Sequence, residues 1–470
     1  MDSIKTDLCI LGAGSGGLSA AAGAVQMGAK VVLLEGGKMG GDCLNYGCVP
    51  SKALIGAAKH AYAMTSGAAF GVTPVTPDID FARAKDHVFS VIAQIAPHDS
   101  IERFEGLGVH VISHYGEFVS SREVIAGDHR ISARRFIIAT GSSPLVPPIP
   151  GLSDVPYETN ETIFELREKP EHLVIIGGGP IGMELAQAHR RLGCLVTVIE
   201  GIKALGRSHP EHADIVLQQL RDEGVVIHEG VAAERVEGDS GSVTVHGAEG
   251  LTVTGTKLLV AVGRKPNIDK LNLGAAGIAT SGPAITVDES LKTTNRRVYA
   301  IGDVTGGFQF THVAGYHASV VLKSALFGLK SKVRHDHIPA ATYTDPEIAE
   351  VGLSEDDARR KYGAGIEIVS FGYDENDRAL AEGNGKGAVR AVIFKGRPVG
   401  ASIVGSGAGE QIHLWSMAIA NRLKLGAFAA TIAPYPTMGE ASKRAAGAYF
   451  AKRLFGNLWV KRAVRLVQRF

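Results

Sequence analysis

Residues 8–36 read LCILGAGSGGLSAAAGAVQMGAKVVLLEG, and residues 173–201 read LVIIGGGPIGMELAQAHRRLGCLVTVIEG. A constant offset of 165 places Gly12 over Gly177, Gly14 over Gly179, Gly17 over Gly182 and Glu35 over Glu200. Each copy is an apolar strand, a glycine turn, a helix rich in small and aliphatic residues, a second apolar strand and a closing Glu. The first glycine makes the tight turn, and the second lets a pyrophosphate touch the backbone. The third lets helix and strand pack closely, while the helix N-terminus carries the anion. The closing Glu accepts hydrogen bonds from ribose hydroxyls. One such glycine turn is weak evidence. Two in register, each with its acid in place, predict a chain that binds two dinucleotides. A carboxylate at Glu200 repels a 2′-phosphate, so NAD(H) is the expected nicotinamide cofactor, with Lys203 and Arg207 close by in sequence as the counterweight.

Composition agrees with a multidomain α/β chain. Its 470 residues carry 49 basic and 48 acidic side chains, a balance that gives no global basic footprint for nucleic acid. With 45% apolar residues, the chain lacks the signature of disorder. No apolar run reaches the length of a membrane span. The first apolar strand begins seven residues in, so a cytoplasmic location is expected. Glycine is in excess, at 59 residues without a collagen period, which predicts turns and close backbone approaches to ligands.

Four cysteines are too few for a disulfide scaffold, so any special pair is chemical. Cys9 and Cys194 lie in or beside the repeated units and read as small core residues. Cys43 and Cys48 sit in GGDCLNYGCVPSKALIGAAKHA, residues 40–61. Pro50 follows as a first-turn residue of a helix predicted to run to about Met64. A helix N-terminus favours a thiolate, and a C-x4-C pair there can cycle between dithiol and disulfide. No second Cys or His pair stands at zinc spacing, so no metal site is expected.

With these motifs, and with FIIATGSSPLVPPIPG (136–151), LLVAVGRKPN (258–267), RRVYAIGDVTG (296–306), FTHVAGYHA (310–318) and YPTMGE (435–440), the chain resembles the class I pyridine nucleotide-disulfide oxidoreductases along essentially its whole length. The resemblance implies an α/β fold of two Rossmann-like dinucleotide-binding domains plus an α+β C-terminal dimerisation domain. The FAD-binding domain would be 1–150 and 276–337, the NAD-binding domain 151–275, and the interface domain 338–470. Gly12, Gly14, Gly17, Glu35, Thr140, Gly141 and Asp303 would serve FAD. Gly177, Gly179, Gly182, Glu200 and Gly263 would serve NAD(H). Lys52 and Glu184 would pair beside the flavin, with Cys48 facing the flavin and Cys43 facing substrate. The chain would act as a homodimer in which the C-terminal dyad of one subunit completes the partner's disulfide site. Its substrate would be a small dithiol or disulfide, including a lipoyl carrier, as in dihydrolipoamide dehydrogenase. A thiol-bound metal or other electrophile, as in mercuric reductase, or a quinone are the alternatives.

Tyr435 departs from the pattern. Dithiol-handling relatives place His before Pro here, with a Glu five residues on, whereas this chain keeps Pro436 and Glu440 but has Tyr. An imidazole near pKa 6.5 suits proton transfer at neutral pH and a phenol near 10 does not, which counts against efficient dihydrolipoamide oxidation. Mercuric reductases resemble the chain in having Tyr here but add a C-terminal Cys pair, and this sequence has no cysteine after Cys194. Asp42 stands where many relatives have Thr and is expected near the FAD phosphates or Cys43. His312 is expected to be a hydrogen-bonded structural residue. The last 30 residues hold eight Lys or Arg and no acid. From Phe455 on, Leu458, Trp459, Ala463, Leu466, Val467 and Phe470 are expected on one helical face, with Lys461, Arg462, Arg465 and Arg469 adjoining. Packing of that helix on the dimer is the expectation, and contact with an anionic membrane or an acidic carrier the alternative.

Overall fold

A computed structural model describes residues 1–469, without the side chain of Lys452. Two compact units emerge. The first comprises residues 1–65, 75–201 and 231–333; the second comprises 66–74, 202–230 and the residues from 334 on.

In the first unit, strand β1 (Asp2–Leu11) leads through the glycine turn into helix α1 (Ser15–Gln26) and strand β2 (Val31–Leu34). Leu8 to Leu11 and all of β2 are buried, as a parallel strand covered on both faces requires. β1 starts at Asp2 rather than Leu8 because its first half also pairs with strand β3 (His129–Ile138), from Asp2 opposite His129 onward. The sheet runs His110–Ile112, β2, β1, β3, Glu123–Ala126, Glu117–Ser120. Two helices follow β2: the short α2 (Gly41–Asn45) and, after a two-residue break, the 18-residue α3 (Cys48–Thr65).

The second copy repeats the plan with β4 (His172–Ile176), α4 (Pro180–Arg191) and β5 (Leu195–Glu200). β4 lies between β5 and β6 (Lys257–Val260), parallel to both. The last strand of the first sheet, β7 (Val298–Ala300), pairs with β3 and leads to helix α5 (Thr311–Phe327).

The glycine pattern has the same steric origin in both copies. Gly12 has φ 101° and Gly177 φ 114°, backbone that disfavours a side chain. A Cβ on Gly17 would lie 1.8 Å from the Gly12 carbonyl oxygen, and one on Gly182 would lie 2.0 Å from that of Gly177.

The second unit holds an antiparallel sheet of β8 (Pro339–Thr342), β9 (Glu347–Gly352), β10 (Ile366–Gly372), β11 (Ala388–Phe394) and β12 (Arg397–Gly405), in the order β8-β9-β12-β11-β10. Helix α6 (Ala408–Ala420) covers it, with Trp415 fully buried and its indole N–H donating to Ser442 Oγ at 3.0 Å. Ser442 lies on α7 (Glu440–Phe455), and α8 (Leu458–Val467) follows. The sequence pattern predicts one helix from Phe455 onward. Instead Phe455 ends α7, and Asn457 caps α8 by accepting the Trp459 N–H at 2.9 Å. Phe470 lies outside the described residues.

Candidate active site

Backbone contacts hold the cysteine loop against the first glycine turn. The Gly40 N–H donates to the Ala13 carbonyl at 2.9 Å, and a Cβ on Gly41 would come within 2.7 Å of the Gly14 Cα. α2 therefore presents Cys43 beside the turn, and Cys48 is the first residue of α3, with Pro50 in its first turn.

The two thiols interact directly, as dithiol rather than disulfide. Cys48 Sγ also lies 3.5 Å from Thr311 Oγ1, at the start of α5. These contacts divide the pair electrostatically. The hydrogen bond from Cys43 lowers Cys48 to a pKa of about 6, helped by Thr311 and by the charge of Lys52, against burial and the charge of Asp42. Cys43 is pushed well above the ordinary thiol value, first by that same hydrogen bond and then by burial and the neighbouring charge. The reduced pair at neutral pH is thus one thiolate, on Cys48, solvated by one thiol. Cys9 and Cys194 are fully buried, and burial raises both thiols, Cys194 to about 11.

Lys52, one turn into α3, places Nζ 2.7 Å from Glu184 Oε2 on α4, and Glu184 is nearly fully enclosed. The expected ion pair therefore forms between the cysteine helix and the helix of the second glycine turn.

Each closing carboxylate returns to its own turn. Glu35 Oε2 accepts the Ala13 N–H at 2.6 Å and Oε1 the Gly37 N–H at 2.7 Å. Glu200 Oε2 accepts the Gly178 N–H at 2.7 Å. Ala13 and Gly178 are themselves 165 residues apart, so the repeat extends to its hydrogen bonds. A turn too tight for a Cβ beside a fixed carboxylate fits a dinucleotide in both copies.

Thr140 and Gly141 meet the motif that carries Gly263. Thr140 Oγ1 donates to the Asn267 carbonyl at 2.7 Å, the Asn267 N–H to the Gly141 carbonyl at 3.0 Å, and the Leu145 N–H to the Gly263 carbonyl at 2.9 Å. Asp303 accepts from Ser142 Oγ at 2.6 Å, and burial holds its carboxyl above the usual range despite Ser142 and Arg264.

Residues not anticipated complete this network. Arg264 pairs with Asp42 at 2.9 Å and donates through Nε to Ser142 Oγ at 2.8 Å. Asn160 Nδ2 donates to Asp42 Oδ1 at 3.1 Å and to the Tyr46 carbonyl at 3.2 Å. Asp42 is thus the anchor of the cysteine loop. Thr311 stands beside His312 in the motif already singled out, but it is Thr311 that reaches the thiolate, while His312 stacks on Phe310 with centroids 5.3 Å apart.

In the second unit, Tyr435 is 69% exposed and donates through its hydroxyl to Asp377 Oδ2 at 2.9 Å. That hydrogen bond, the charge of Asp377 and that of Glu440 all raise the phenol. Glu440 is the first residue of α7. Among the described residues, no cluster of three or more His, Cys, Asp or Glu side chains is placed to hold a metal ion, and no helix is long and apolar enough to cross a membrane.

Two paired dinucleotide turns with a dithiol pinned to the first define a flavin-dependent, pyridine-nucleotide-linked disulfide oxidoreductase. The chain belongs to the pyridine nucleotide-disulphide oxidoreductase family, whose profile matches residues 6–318, and the family's dimerisation domain matches residues 338–446. It is an FAD-dependent NAD(P)H disulfide oxidoreductase, and the dimerisation domain supports a homodimer. It is 35% identical over 446 residues to mercuric reductase of Bacillus cereus, covering 93% of this chain and 70% of that one. It is 34% identical over 457 residues to dihydrolipoyl dehydrogenase of Staphylococcus aureus, covering 94% and 96%. The Cu(II) complex of the HOCl-induced flavoprotein disulfide reductase RclA from Escherichia coli superposes with a TM-score of 0.84 at 29% identity, covering 93% and 99%.

Proposed function

We propose that the enzyme works in the reductive direction, passing electrons from NADH through the Cys43–Cys48 pair to a thiol-reactive acceptor, either a disulfide or a thiolate-bound soft metal ion. In this reading residues 1–150 and 276–337 bind FAD, 151–275 bind NAD(H), 338–470 are the domain that carries the dimer interface, and the enzyme is cytoplasmic. The observation that carries the direction is Tyr435, whose proton is held by Asp377. Oxidising a dithiol needs a base to take the thiol proton as the exchange begins, and a phenol raised above its ordinary value does not supply one. Reduction starts from a pair that already contains a thiolate.

Bound FAD and NADH supply the hydride chemistry that returns the disulfide to the dithiol. The chain's own residues do the rest. Cys43 attacks a sulfur of the acceptor disulfide while its proton passes to the Cys48 thiolate across their hydrogen bond. The first acceptor thiolate leaves and takes that proton from Cys48. The Cys48 thiolate, again free, then attacks Cys43 in the mixed disulfide and expels the second acceptor thiolate, which is protonated by solvent. One acceptor disulfide becomes two thiols, and the dithiol becomes a disulfide. Cys48 thereby serves as the local base. Lys52, fixed by Glu184, and Thr311 keep it anionic between steps.

A dithiol-oxidising role on a lipoyl substrate is the second reading, favoured by the near-full-length similarity to dihydrolipoyl dehydrogenase. Parallel assays of NADH oxidation with thiol-bound Hg(II), small disulfides and lipoamide, and of NAD reduction with dihydrolipoamide, test the direction. Faster turnover with dihydrolipoamide than with every oxidised acceptor would overturn the reductive reading.

A further inference from the structure

The described part of the C-terminal tail ends in a helix with two opposed faces. At about 100° per residue, Trp459, Ala463, Leu466 and Val467 on α8 occupy one arc of roughly 100°. Lys461, Arg462 and Arg465, with Arg469 just beyond the helix, occupy an arc of similar width on the other side. Leu458, expected on the apolar face, falls within the basic arc. The apolar face is open in this chain: Trp459 is 75% exposed, Val467 72% and Leu466 59%. Phe455, at the corner between α7 and α8, is 73% exposed. Large apolar side chains displayed together in this way mark a surface that is covered in use.

We propose that α8 is an interfacial helix that docks the enzyme on an anionic lipid bilayer. The dimerisation-domain match ends at residue 446, before α8 begins. The RclA structure is covered over 99% of its length yet covers 93% of this chain, so this chain has residues beyond the shared fold. Charge complementarity selects the partner. None of the last 30 residues is acidic, and the Arg462 guanidinium lies 5.2 Å over the Trp459 ring, at the border of the two faces. An acidic protein would account for the arginines but not for half a helix of Trp, Leu and Val. A bilayer accounts for both: the apolar half sinks to the acyl boundary while the basic side chains reach lipid phosphates. The helix lies in the surface plane and does not span it.

The test is co-sedimentation of the full-length FAD-loaded enzyme with phosphatidylcholine vesicles and with vesicles half phosphatidylglycerol. Binding to the anionic vesicles only, weakened by salt, is expected. Each basic residue near such a surface is worth about fivefold in partitioning, so Arg462→Gln with Arg465→Gln is expected to lower it roughly 25-fold. Trp459→Glu with Val467→Glu is expected to abolish it, with flavin content, NADH turnover and dimer mass unchanged. Failure to bind either vesicle, or equal binding to both, overturns the proposal. So does dissociation of the dimer by Trp459→Glu with Val467→Glu in the absence of lipid, which would make this face an interface between two copies.

Discussion

Replacing Cys43 by alanine removes the hydrogen that does most to hold Cys48 as a thiolate. Lowered to about 6, Cys48 is mostly ionised at pH 7, against about 3% for an ordinary thiol near 8.5. A hydrogen bond to a charged group is worth about 1.5–3 kcal/mol, or about one to two pKa units. The Cys48 titration in Cys43→Ala should therefore rise by that much and stay below the ordinary value, because Thr311 and Lys52 remain. A more basic thiolate is also a better nucleophile, by about 3- to 8-fold over such a shift. The quantity to read is consequently the pH of the inflection, not the rate at one pH. The assay is alkylation of the anaerobically reduced enzyme by iodoacetamide from pH 4.5 to 10, with peptide mapping to assign each thiol. Cys9 and Cys194 should stay unmodified, being buried with raised pKa values. A Cys48 inflection at 8 or above in the unaltered enzyme, or one that Cys43→Ala leaves in place or lowers, would show that Cys43 does not hold Cys48 as a thiolate.

Other substitutions have signs set by the same geometry. Asp42→Asn removes a negative charge that opposes the thiolate, so the Cys48 inflection should move below about 6, measured by the same alkylation profile. Lys52→Met should move it upward by removing a stabilising charge, and Glu184→Gln should disturb it less while loosening Lys52. Tyr435→His should raise dihydrolipoamide oxidation by roughly 10²- to 10⁴-fold if the missing base limits that direction. Tyr435→Phe should leave acceptor reduction within about twofold, since the phenol proton is not transferred. In the proposed reading Glu200 accepts from an NADH ribose hydroxyl, and removing its charge with Glu200→Gln should lower the NADH over NADPH ratio of kcat/KM by about 10- to 100-fold.

The parts of this architecture that are legible without a structure are those enforced by sterics over short distances. A turn whose third glycine admits no Cβ at 1.8 Å in one copy and 2.0 Å in the other must keep its residues and spacing, so both turns and their acids can be read directly. The Cys pair is legible for a related reason, since its chemistry needs two thiols near one helix start. The network that tunes the pair is not. Thr311 lies 263 residues from Cys48 in the chain and meets it only through folding, and no local pattern marks a threonine as a thiolate partner. Arg264 hides behind Gly263: the glycine announces a tight backbone, while the arginine beside it carries the pairing with Asp42. Asp377 as the partner of Tyr435 depends on a loop and the first residue of a short helix, Asp377–Ala381, brought together in the second unit. The apolar period runs through Gly456 and Asn457 and so predicts a single C-terminal helix. Asn is a strong N-cap, and there it starts a new helix instead of continuing the old one.

In the proposed reading the flavin and the Cys43–Cys48 pair form one electron relay, which an anaerobic NADH titration of the FAD-loaded enzyme tests most directly. Uptake of more than the two electrons that flavin alone accepts is expected, with two new thiols that mapping assigns to Cys43 and Cys48, and uptake of two electrons only in Cys43→Ala. An unaltered enzyme that stops at two electrons, with the cysteines unchanged throughout, would contradict it.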